Sequence, residues 1–378
     1  MEHANKLLGK RRLFQFVISM DNHLKPDQIL LGDCTEILSQ LPEHSVDLVF
    51  ADPPYNLQLS QELWRPNHTR VNGVEDKWDK FASFEEYDQF THLWISGCRR
   101  ILKDTGTLWV IGTYHNIYRV GAILQDLDFW ILNDVVFIKS NPMPNFRGAR
   151  FTNAHETLIW AQKKKGAKYT FNHQAMKSLN DDLQMRSDWR LPICTGKERI
   201  RVNGAKAHST QKPEALLYRV LLSSSNPGDL ILDPFFGSGT TGAVAKKLGR
   251  HFIGIDRDEG YVKIAQERIA SIEPAPEAAL KTPNPRQQER IPFGTLLEAG
   301  LLQPGQTLYF IQNGITATIL ADSHIQCGEI IGSIHAVAKS LSSGAPANGW
   351  DCWFFKEKGG SQVSIDRLRL QIRTQADQ

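Results

Sequence analysis

The stretch 229-DLILDPFFGSGTTG-242 decides the fold of this chain. Its apolar run, Leu230–Leu232, leads through Asp233 into a glycine-rich turn, and the residues that follow the turn have a helical composition. A strand that enters a helix through a glycine turn is the opening unit of a nucleotide-binding α/β sheet. The residues His251–Ile255 form a second predicted strand, which ends at Asp256, so the region predicts two neighbouring strands of such a sheet.

The glycine turn also indicates a ligand. Gly237, Gly239 and Gly242 have the spacing G-x-G-x-x-G, which on its own is compatible with a dinucleotide site that has Asp256 on the ribose hydroxyls. Asp233 argues against that ligand, because a carboxylate directly before the turn repels a pyrophosphate and favours an ammonium or a sulfonium. S-adenosyl-L-methionine carries both cations and a ribose, so we predict this cofactor, with a nicotinamide-dependent dehydrogenase as the alternative. The chain contains no G-x-x-x-x-G-K-[ST], which excludes a nucleotide P-loop.

A second motif lies far upstream, in 46-VDLVFADPPY-55. The apolar run Val46–Ala51 predicts a buried strand, and Asp52 follows it as a carboxylate that can accept a hydrogen bond from a planar exocyclic amine. Pro53 and Pro54 stiffen the turn and leave their carbonyls free as acceptors, while Tyr55 can lie flat against a purine. We therefore predict that Asp52, Pro53, Pro54 and Tyr55 form a catalytic site for an amino group, although an ordinary turn has a similar composition.

The two motifs together resemble those of the S-adenosylmethionine-dependent amino-methyltransferases of DNA. DPPY is similar to their target-amine motif and DPFFGSGTT to their cofactor motif. The order of the two, with a long segment between them, is the permuted arrangement of the beta class. Further stretches resemble the cell-cycle-regulated adenine methyltransferases that modify GANTC, namely FADPPYNLQL, KSNPMPNFRGARF, QMRSDW and AHSTQKPEALLYR. The resemblance extends from about Ile29 to the C-terminus.

This resemblance implies a site-specific methyltransferase that transfers a methyl group from S-adenosyl-L-methionine to N6 of a flipped-out adenine in double-stranded DNA, with GANTC as the target. It also implies an orphan enzyme linked to replication or the cell cycle, and beta-class relatives often form homodimers. A cytosine-N4 methyltransferase is an alternative, but that group tends to carry serine in place of Asp52. Enzymes that act on glutamine or RNA tend to carry asparagine there. A catalytically silent DNA-binding regulator is a further alternative, against which the intact acids and glycines argue.

Acidic residues stand at the ends of several predicted strands, where ligands bind in sheets of this type. These are Asp33, Asp52, Asp233 and Asp256. Capping a helix is an alternative role for Asp33 and Asp256, but it does not suit Asp52, because the prolines lead away from a helix. The resemblance places Asp33 on the adenosine side of the cofactor and Lys212 near the cofactor. The residues predicted to bind the cofactor are Asp33, Cys34, Lys212, Asp233, Phe235, Gly237, Ser238, Gly239, Thr240, Thr241 and Asp256.

Three polar segments are predicted to face DNA. Asn56–Lys80 is a long loop that we expect to clamp the target base, Ser140–Phe151 mixes prolines with asparagine and arginine, and Tyr169–Ala207 lies where beta-class enzymes place target recognition. Arginine can contact guanine and asparagine can contact adenine in the major groove, and phosphate contacts are equally compatible with the composition. The residues predicted to contact DNA are Arg65, Asn145, Arg147, Arg150, Arg186 and Trp189.

The composition agrees with a cytosolic enzyme, and the resemblance implies a bacterial cytoplasmic enzyme associated with the nucleoid. With 44 basic and 41 acidic residues among 378, the net charge is only +3, so DNA must be bound by local patches and not by an overall field. The five cysteines include no C-x-x-C pair, which favours a reducing compartment and no structural zinc. No histidine spacing indicates a metal site, and no stretch approaches the apolar length of a membrane span. We therefore expect neither a metal nor a membrane partner.

Alternating strand and helix patterns along most of the chain predict an α/β fold, a permuted Rossmann-like methyltransferase sheet that is largely parallel and has helices on both faces. We assign residues 1–27 to a disordered N-terminal extension and 28–273 to the catalytic domain, with target recognition at about 140–207. Residues 274–290 are rich in proline and charge, as is typical of a linker. Glycine turns between short apolar strands in 291–378 predict a small C-terminal domain. It resembles one associated with DNA binding, and dimerisation or stabilisation are alternative roles.

Overall fold

A computed structural model describes residues 24–57, 79–145, 148–202, 204–207, 210–280, 291–311, 314–342, 347–357 and 359–376. The contacts divide the chain into two compact units, Met1–Pro283 and Asn284–Gln378. Of the predicted N-terminal extension, residues 1–23 fall outside the described residues, as do residues 281–290 of the predicted linker. None of the helices in the described part of the chain has the length and apolar character needed to span a bilayer.

The first unit contains strands in two sheets. In chain order the strands are β1 (Gln28–Leu31), β2 (Val46–Ala51), β3 (Leu102–Gly112), β4 (Trp130–Lys139), β5 (His155–Gln162), β6 (Asp188–Leu191), β7 (Arg201–Val202), β8 (Ala205–Lys206), β9 (Leu230–Asp233) and β10 (His251–Asp256). The large sheet has the order β1-β10-β9-β2-β3-β5-β4-β6, and β7 pairs with β8 apart from it. The strand β5 is antiparallel to both of its neighbours, β3 and β4, whereas the other pairs of the large sheet are parallel. The prediction of a largely parallel sheet is confirmed, with one reversed strand that the sequence did not indicate.

Helices cover both faces of this sheet. They are α1 (Cys34–Leu38), α2 (Phe84–Ile101), α3 (Ile117–Asp126), α4 (His173–Ser178), α5 (Glu214–Ser224), α6 (Thr240–Lys247), α7 (Glu259–Ala270) and α8 (Glu277–Leu280), with a 3₁₀ turn at Gly196–Glu198. Successive side chains of a strand point to opposite faces. In β2, Val49 and Ala51 therefore enter the core that holds α1, α2 and α3. Leu48 and Phe50 enter the core that holds α5, α6 and α7.

Helix ends agree with local capping chemistry. The hydroxyl of Ser83 accepts a hydrogen bond from the backbone N–H of Glu86, and the Glu86 carboxylate accepts one from the N–H of Ala82 at 2.6 Å. These two bonds satisfy backbone donors at the start of α2. Arg99 and Arg100 lie in its last turn, where a positive charge is favourable. This helix forms one wall of the cavity described below.

The second unit is built on a six-stranded antiparallel sheet with the order β14-β13-β12-β11-β15-β16. Its strands are β11 (Thr307–Phe310), β12 (Thr316–Ile319), β13 (Ile325–Cys327), β14 (Ile330–Gly332), β15 (Trp353–Lys356) and β16 (Gln362–Ser364). Its helices are α9 (Gly294–Glu298), α10 (Ile334–Leu341), α11 (Gly349–Cys352) and α12 (Ile365–Ala376). Trp353 is fully buried in the core of this unit, where its indole N–H donates to the carbonyl of Ile334 at 3.0 Å. The unit thus has a hydrophobic core of its own.

Candidate active site

Asp52 stands at the carboxyl edge of the large sheet, directly after β2, which lies between β9 and β3. Its Oδ2 accepts a hydrogen bond from Nζ of Lys212 at 2.6 Å, and its Oδ1 accepts one from the hydroxyl of Tyr55 at 2.9 Å. The side chains of Asp52 and Lys212 are only 17% and 10% exposed, so solvent screens this ion pair little. The predicted catalytic acid is therefore in direct contact with a residue predicted to lie near the cofactor.

The two prolines hold the turn after Asp52 in a fixed position. Both are buried, and the carbonyl of Pro54 accepts a hydrogen bond from the hydroxyl of Tyr87 at 3.0 Å. On the far side of the turn, the backbone N–H groups of Asn56 and Leu57 donate to the Asp79 carboxylate at 2.7 and 3.2 Å. Contacts from α2 and from Asp79 thus fix the position of the tetrapeptide.

Glu156 is part of the same cluster, and the sequence did not predict it. Its Oε1 lies 2.9 Å from Nζ of Lys139, and its Oε2 lies 3.8 Å from Nζ of Lys212. Because β5 runs antiparallel to β3 and β4, the amino end of β5 lies at the edge where β2 and β4 end. Charges of alternating sign therefore follow one another from Lys139 through Glu156 and Lys212 to Asp52. The sequence-based prediction covered only the carboxyl ends of strands, and strand direction cannot be inferred from local pattern.

Burial and the neighbouring charges perturb each group of this cluster. Burial raises the pKa of Asp52, although the ammonium of Lys212 opposes this shift. Burial also acts to raise the pKa of Glu156, but Lys212 and Lys139 outweigh it and lower that pKa. For Lys212, burial acts to lower the pKa, and Asp52 and Glu156 outweigh it and raise it. Burial and the two carboxylates raise the pKa of Tyr55 well above its ordinary value, so its hydroxyl stays neutral and can donate a hydrogen bond.

The glycine turn is held by Asp233. Its Oδ2 accepts a hydrogen bond from the Thr241 hydroxyl at 2.6 Å, and its Oδ1 accepts one from the N–H of Phe235 at 2.9 Å. Gly239 has a φ of +74°, and a Cβ at this position would lie 2.8 Å from the Cβ of Ala265, so the turn requires glycine there. Burial raises the pKa of Asp233 to about 7. Asp233 thus fixes the turn from behind while placing a titratable carboxyl beneath it.

Asp256 and Asp33 flank the glycine turn at the ends of β10 and β1. The carboxylate of Asp256 accepts hydrogen bonds from the N–H of Gly237 at 2.7 Å and from the N–H of Asp258 at 2.9 Å. It does not cap α7, because Asp258 is the N-cap residue of that helix. Asp33 does cap α1, where its Oδ1 accepts a hydrogen bond from the N–H of Thr35 at 2.9 Å. The capping role considered from the sequence therefore applies to Asp33 and not to Asp256.

A cavity of about 860 Å³ joins the two motifs. Its walls include seven of the residues predicted for catalysis or cofactor binding, namely Asp33, Cys34, Asp52, Pro54, Phe235, Gly237 and Asp256. Aromatic rings from elsewhere add to the walls, and the sequence did not distinguish them from core residues. These are Phe81, Phe90 and Tyr261. The cavity thus combines carboxylates and aromatic rings, which suits a ligand that has both hydroxyl or amino groups and a planar ring.

Other predicted site residues lie behind this surface. Ser238, Thr240 and Thr241 are buried, and Asp233 is only 3% exposed. With Gly239, these residues build the turn, and they do not line the cavity. The cavity lining also does not include Pro53, Tyr55 or Lys212. Of these, Tyr55 and Lys212 form hydrogen bonds with Asp52.

The predicted DNA-contacting residues have different environments. Arg150 and Arg186 are exposed, and Arg186 pairs with Asp188 at 2.8 Å. Asn145 is partly buried. Phe151, which follows Arg150 in the chain, is 98% exposed. Arg65 and Arg147 lie outside the described residues. Residues 58–78, most of the predicted clamp, also lie outside them.

The prediction for Trp189 is wrong, because this side chain is buried in the core. It is 3% exposed, its ring centroid lies 5.9 Å from that of Trp109, and its indole N–H donates to the carbonyl of Arg186 at 2.9 Å. In β6, exposed and buried residues alternate, which places Trp189 on the inner face. The alternation in 188-DWRL-191 was the signal that could have excluded it.

Comparisons with known proteins agree with this architecture. The sequence model of the DNA methylase family matches residues 46–267, and that of the Restriction Enzyme Adenine Methylase Associated domain matches residues 273–378. The chain is 49% identical over 348 residues to the Type II methyltransferase M.HinfI of Haemophilus influenzae, with 92% of this chain and 97% of that protein covered. It is 45% identical over 239 residues to the Type II methyltransferase M2.DpnII of Streptococcus pneumoniae, with 63% of this chain and 87% of that protein covered.

Among solved structures, the cytosine-N4-specific PvuII DNA methyltransferase is similar in fold, with a TM-score of 0.51 and 20% identity over 66% of this chain and 89% of that one. At this identity the similarity concerns the fold alone. It confirms the predicted fold class, a Rossmann-like methyltransferase sheet with helices on both faces.

Proposed function

This chain belongs to the DNA methylase family, and from that premise we propose that it is a site-specific methyltransferase that modifies N6 of adenine in double-stranded DNA. The observation that carries the proposal is the position of Asp52. Its carboxylate lies on the wall of the cavity that also contains Phe235, Gly237 and Asp256 of the glycine-turn region. A group that accepts hydrogen bonds from an amine therefore stands beside the place for a methyl donor.

S-adenosyl-L-methionine is the cofactor of this family, and it supplies a methyl group that is already activated by the sulfonium. The residues of the cavity fit it. Asp33 and Asp256 provide carboxylates for hydroxyl groups, and Phe235 provides a ring surface. The cavity of about 860 Å³ is within the usual range of small-molecule sites, about 300–1,000 Å³. The buried Asp233 adds negative potential beneath the turn, which favours a cationic ligand.

The residues around Asp52 can activate an aromatic amine. Such an amine is a poor nucleophile, because its lone pair is delocalised into the ring. Hydrogen bonds from N6 to the Asp52 carboxylate and the Pro53 carbonyl would favour tetrahedral geometry at nitrogen and stabilise the positive charge that develops there. The target base must leave the duplex to reach this position, and Tyr55 offers a ring on which it can stack.

Identification of the methylated nucleoside tests this function. The protein is incubated with labelled S-adenosyl-L-methionine and with matched duplexes that contain or lack GANTC, and the modified nucleoside is then determined. We expect N6-methyladenine in the GANTC duplex alone, a target that the resemblance of the segments around Ser140–Phe151 and Met185–Trp189 supports. Label in cytosine would contradict the proposed substrate, and label in other adenines would contradict the proposed target sequence.

We further propose that the enzyme acts without a partner endonuclease, in connection with replication, and that it associates with the nucleoid as a homodimer. The resemblance to the cell-cycle-regulated enzymes supports this. A link to replication predicts that GANTC sites are hemimethylated for part of the cell cycle, and constant full methylation would contradict it.

Sedimentation of the purified protein with and without DNA measures the oligomeric state.

A further inference from the structure

Each oxygen of the Asp52 carboxylate already accepts one hydrogen bond in this structure. Oδ2 accepts from Lys212 at 2.6 Å, and Oδ1 accepts from the hydroxyl of Tyr55 at 2.9 Å. Each carboxylate oxygen has two lone pairs, so an incoming amine can either share an oxygen with the donor already there or take that donor's place. Because the Lys212 contact is also an ion pair between buried groups, the neutral Tyr55 hydroxyl is the donor that can be displaced at lower cost.

The Tyr55 hydroxyl has a second acceptor within reach. Its oxygen lies 3.4 Å from Oε2 of Glu156, compared with 2.9 Å from Oδ1 of Asp52. A phenol has a single proton to donate, so it can serve only one of these carboxylates fully at a time. The geometry points to Glu156 as a positioning residue: it accepts the Tyr55 hydroxyl when the target amine takes the place of that hydroxyl on Asp52. This inference rests on the proposed function.

Glu156 is held in a position suited to this exchange. Its Oε1 is anchored by Lys139 at 2.9 Å, which leaves Oε2 turned toward Tyr55 and Lys212. Lys139 and Glu156 are the last residue of β4 and the second residue of β5, on adjacent antiparallel strands, so the pair is fixed by the sheet. Both side chains are nearly buried, at 13% and 12% exposed. Burying such a pair carries a large desolvation cost and is weak support for stability by itself, which favours a functional role.

A double-mutant cycle tests the exchange. In Glu156→Gln the amide oxygen pairs with Lys139 and the amide NH₂ group faces Tyr55, so the hydroxyl has no acceptor once the amine is seated. We expect the single-turnover rate of methyl transfer to fall about tenfold to a hundredfold, the effect of leaving one buried hydroxyl unsatisfied. KM for DNA and Kd for S-adenosyl-L-methionine should stay at their wild-type values. In the Tyr55→Phe background there is no hydroxyl to accommodate, so Glu156→Gln should lower the rate less than about threefold below Tyr55→Phe alone.

A second variant controls for the possibility that Glu156→Gln slows the reaction through a folding defect. Glu156→Asp keeps the charge beside Lys139 but withdraws the oxygen from Tyr55, so it should also slow methyl transfer, and Tyr55→Phe should again suppress the loss. If the rate of methyl transfer falls equally with and without the Tyr55→Phe substitution, or if KM rises in parallel, the inference is wrong. Methylation of adenine by the wild type would still support the proposed function in that case. A wild-type protein that methylates no adenine would overturn the proposed function, and the inference with it.

Discussion

Asp233 lies beneath the glycine turn with both carboxylate oxygens in hydrogen bonds, and burial raises its pKa to about 7. The carboxyl is therefore neutral below that pH and charged above it. A cationic cofactor binds the charged form better, so its binding releases a proton from the neutral form. Affinity for S-adenosyl-L-methionine should rise with pH, and Kd should fall about tenfold between pH 6 and pH 8.

Equilibrium binding across this pH range measures the effect. Asp233→Asn should bind weakly with a flat profile. The control is Asp229→Asn, at the other end of the β9 segment, where burial also raises the pKa of the carboxyl. This variant should keep the wild-type slope. A wild-type Kd that does not change with pH would contradict the assignment to Asp233.

At single positions, the sequence allowed a functional residue to be predicted where a local motif indicates its chemistry. Asp52 and Asp233 follow short apolar strands, and their neighbours in the chain already indicate a ligand. Glu156 lacks such a signal, because its importance depends on the direction of β5 and on two lysines that are distant in sequence. Trp189 shows the opposite error, since an aromatic residue between charged ones was assigned to DNA although it packs in the core.

Among the elements of the fold, the turn between β9 and α6 is constrained by backbone geometry at Gly239. Gly239 combines a φ of +74° with a Cβ position 2.8 Å from Ala265, whereas Gly228 has a φ of +86° and open space around it. Gly228→Ala should lower the free energy of unfolding by about 1–2 kcal/mol, the cost of a left-handed non-glycine residue. Gly239→Ala should lower it by about 1–3 kcal/mol more, because overpacking adds to that strain.

Urea unfolding gives both values, and titration with S-adenosyl-L-methionine gives the functional effect. Gly239→Ala should also weaken cofactor binding, since the turn carries Gly237 on the cavity wall. Equal destabilisation by the two substitutions would show that the close approach to Ala265 has no energetic weight.

The strand β6 provides a test of the corrected position of Trp189. Replacing a buried tryptophan with alanine costs about 3–5 kcal/mol of stability, so Trp189→Ala should show a loss of this order. Trp130→Ala is the matched control, because Trp130 is 45% exposed, and it should cost clearly less than Trp189→Ala. Urea titrations of both variants give their free energies of unfolding and so test whether Trp189 is a core residue. If Trp189→Ala keeps wild-type stability and loses DNA affinity, the placement of Trp189 in the core is itself wrong.

Element positions followed from the sequence where periodicity and turn residues are local. The bounds of β2 agree with the predicted ones, and β10 extends one residue beyond the predicted His251–Ile255. The reversal of β5 could not be inferred, because strand direction depends on pairing with β3 and β4 across long stretches of chain. That reversal is what brings Glu156 to the edge that holds Asp52.

For the molecule as a whole, the charge distribution limits how DNA can be bound. A net charge of +3 gives little long-range attraction, so local contacts must supply the affinity. If Arg150 and Arg186 each neutralise one phosphate, changing either to alanine should reduce the slope of log K against log salt concentration by about 0.9. Kd for S-adenosyl-L-methionine should not change.

Lys164→Ala is the control for these variants. Lys164 is exposed and follows β5 at the opposite edge of the sheet, where it pairs with Asp104 at 3.7 Å. Its loss should leave the salt slope unchanged. A slope that responds to Lys164 and not to either arginine would contradict the proposed DNA contacts of Arg150 and Arg186.

The proposed role of Asp52 in making adenine N6 nucleophilic is tested most directly by Asp52→Asn. Methyl transfer to adenine is measured under single-turnover conditions for this variant and for the wild type, with binding of DNA and of S-adenosyl-L-methionine measured on the same preparations. We predict a rate about a hundredfold to a thousandfold lower, the effect of removing one group that stabilises transition-state charge, with both dissociation constants within about threefold of wild type. An Asp52→Asn protein that forms N6-methyladenine at the wild-type rate would contradict this role.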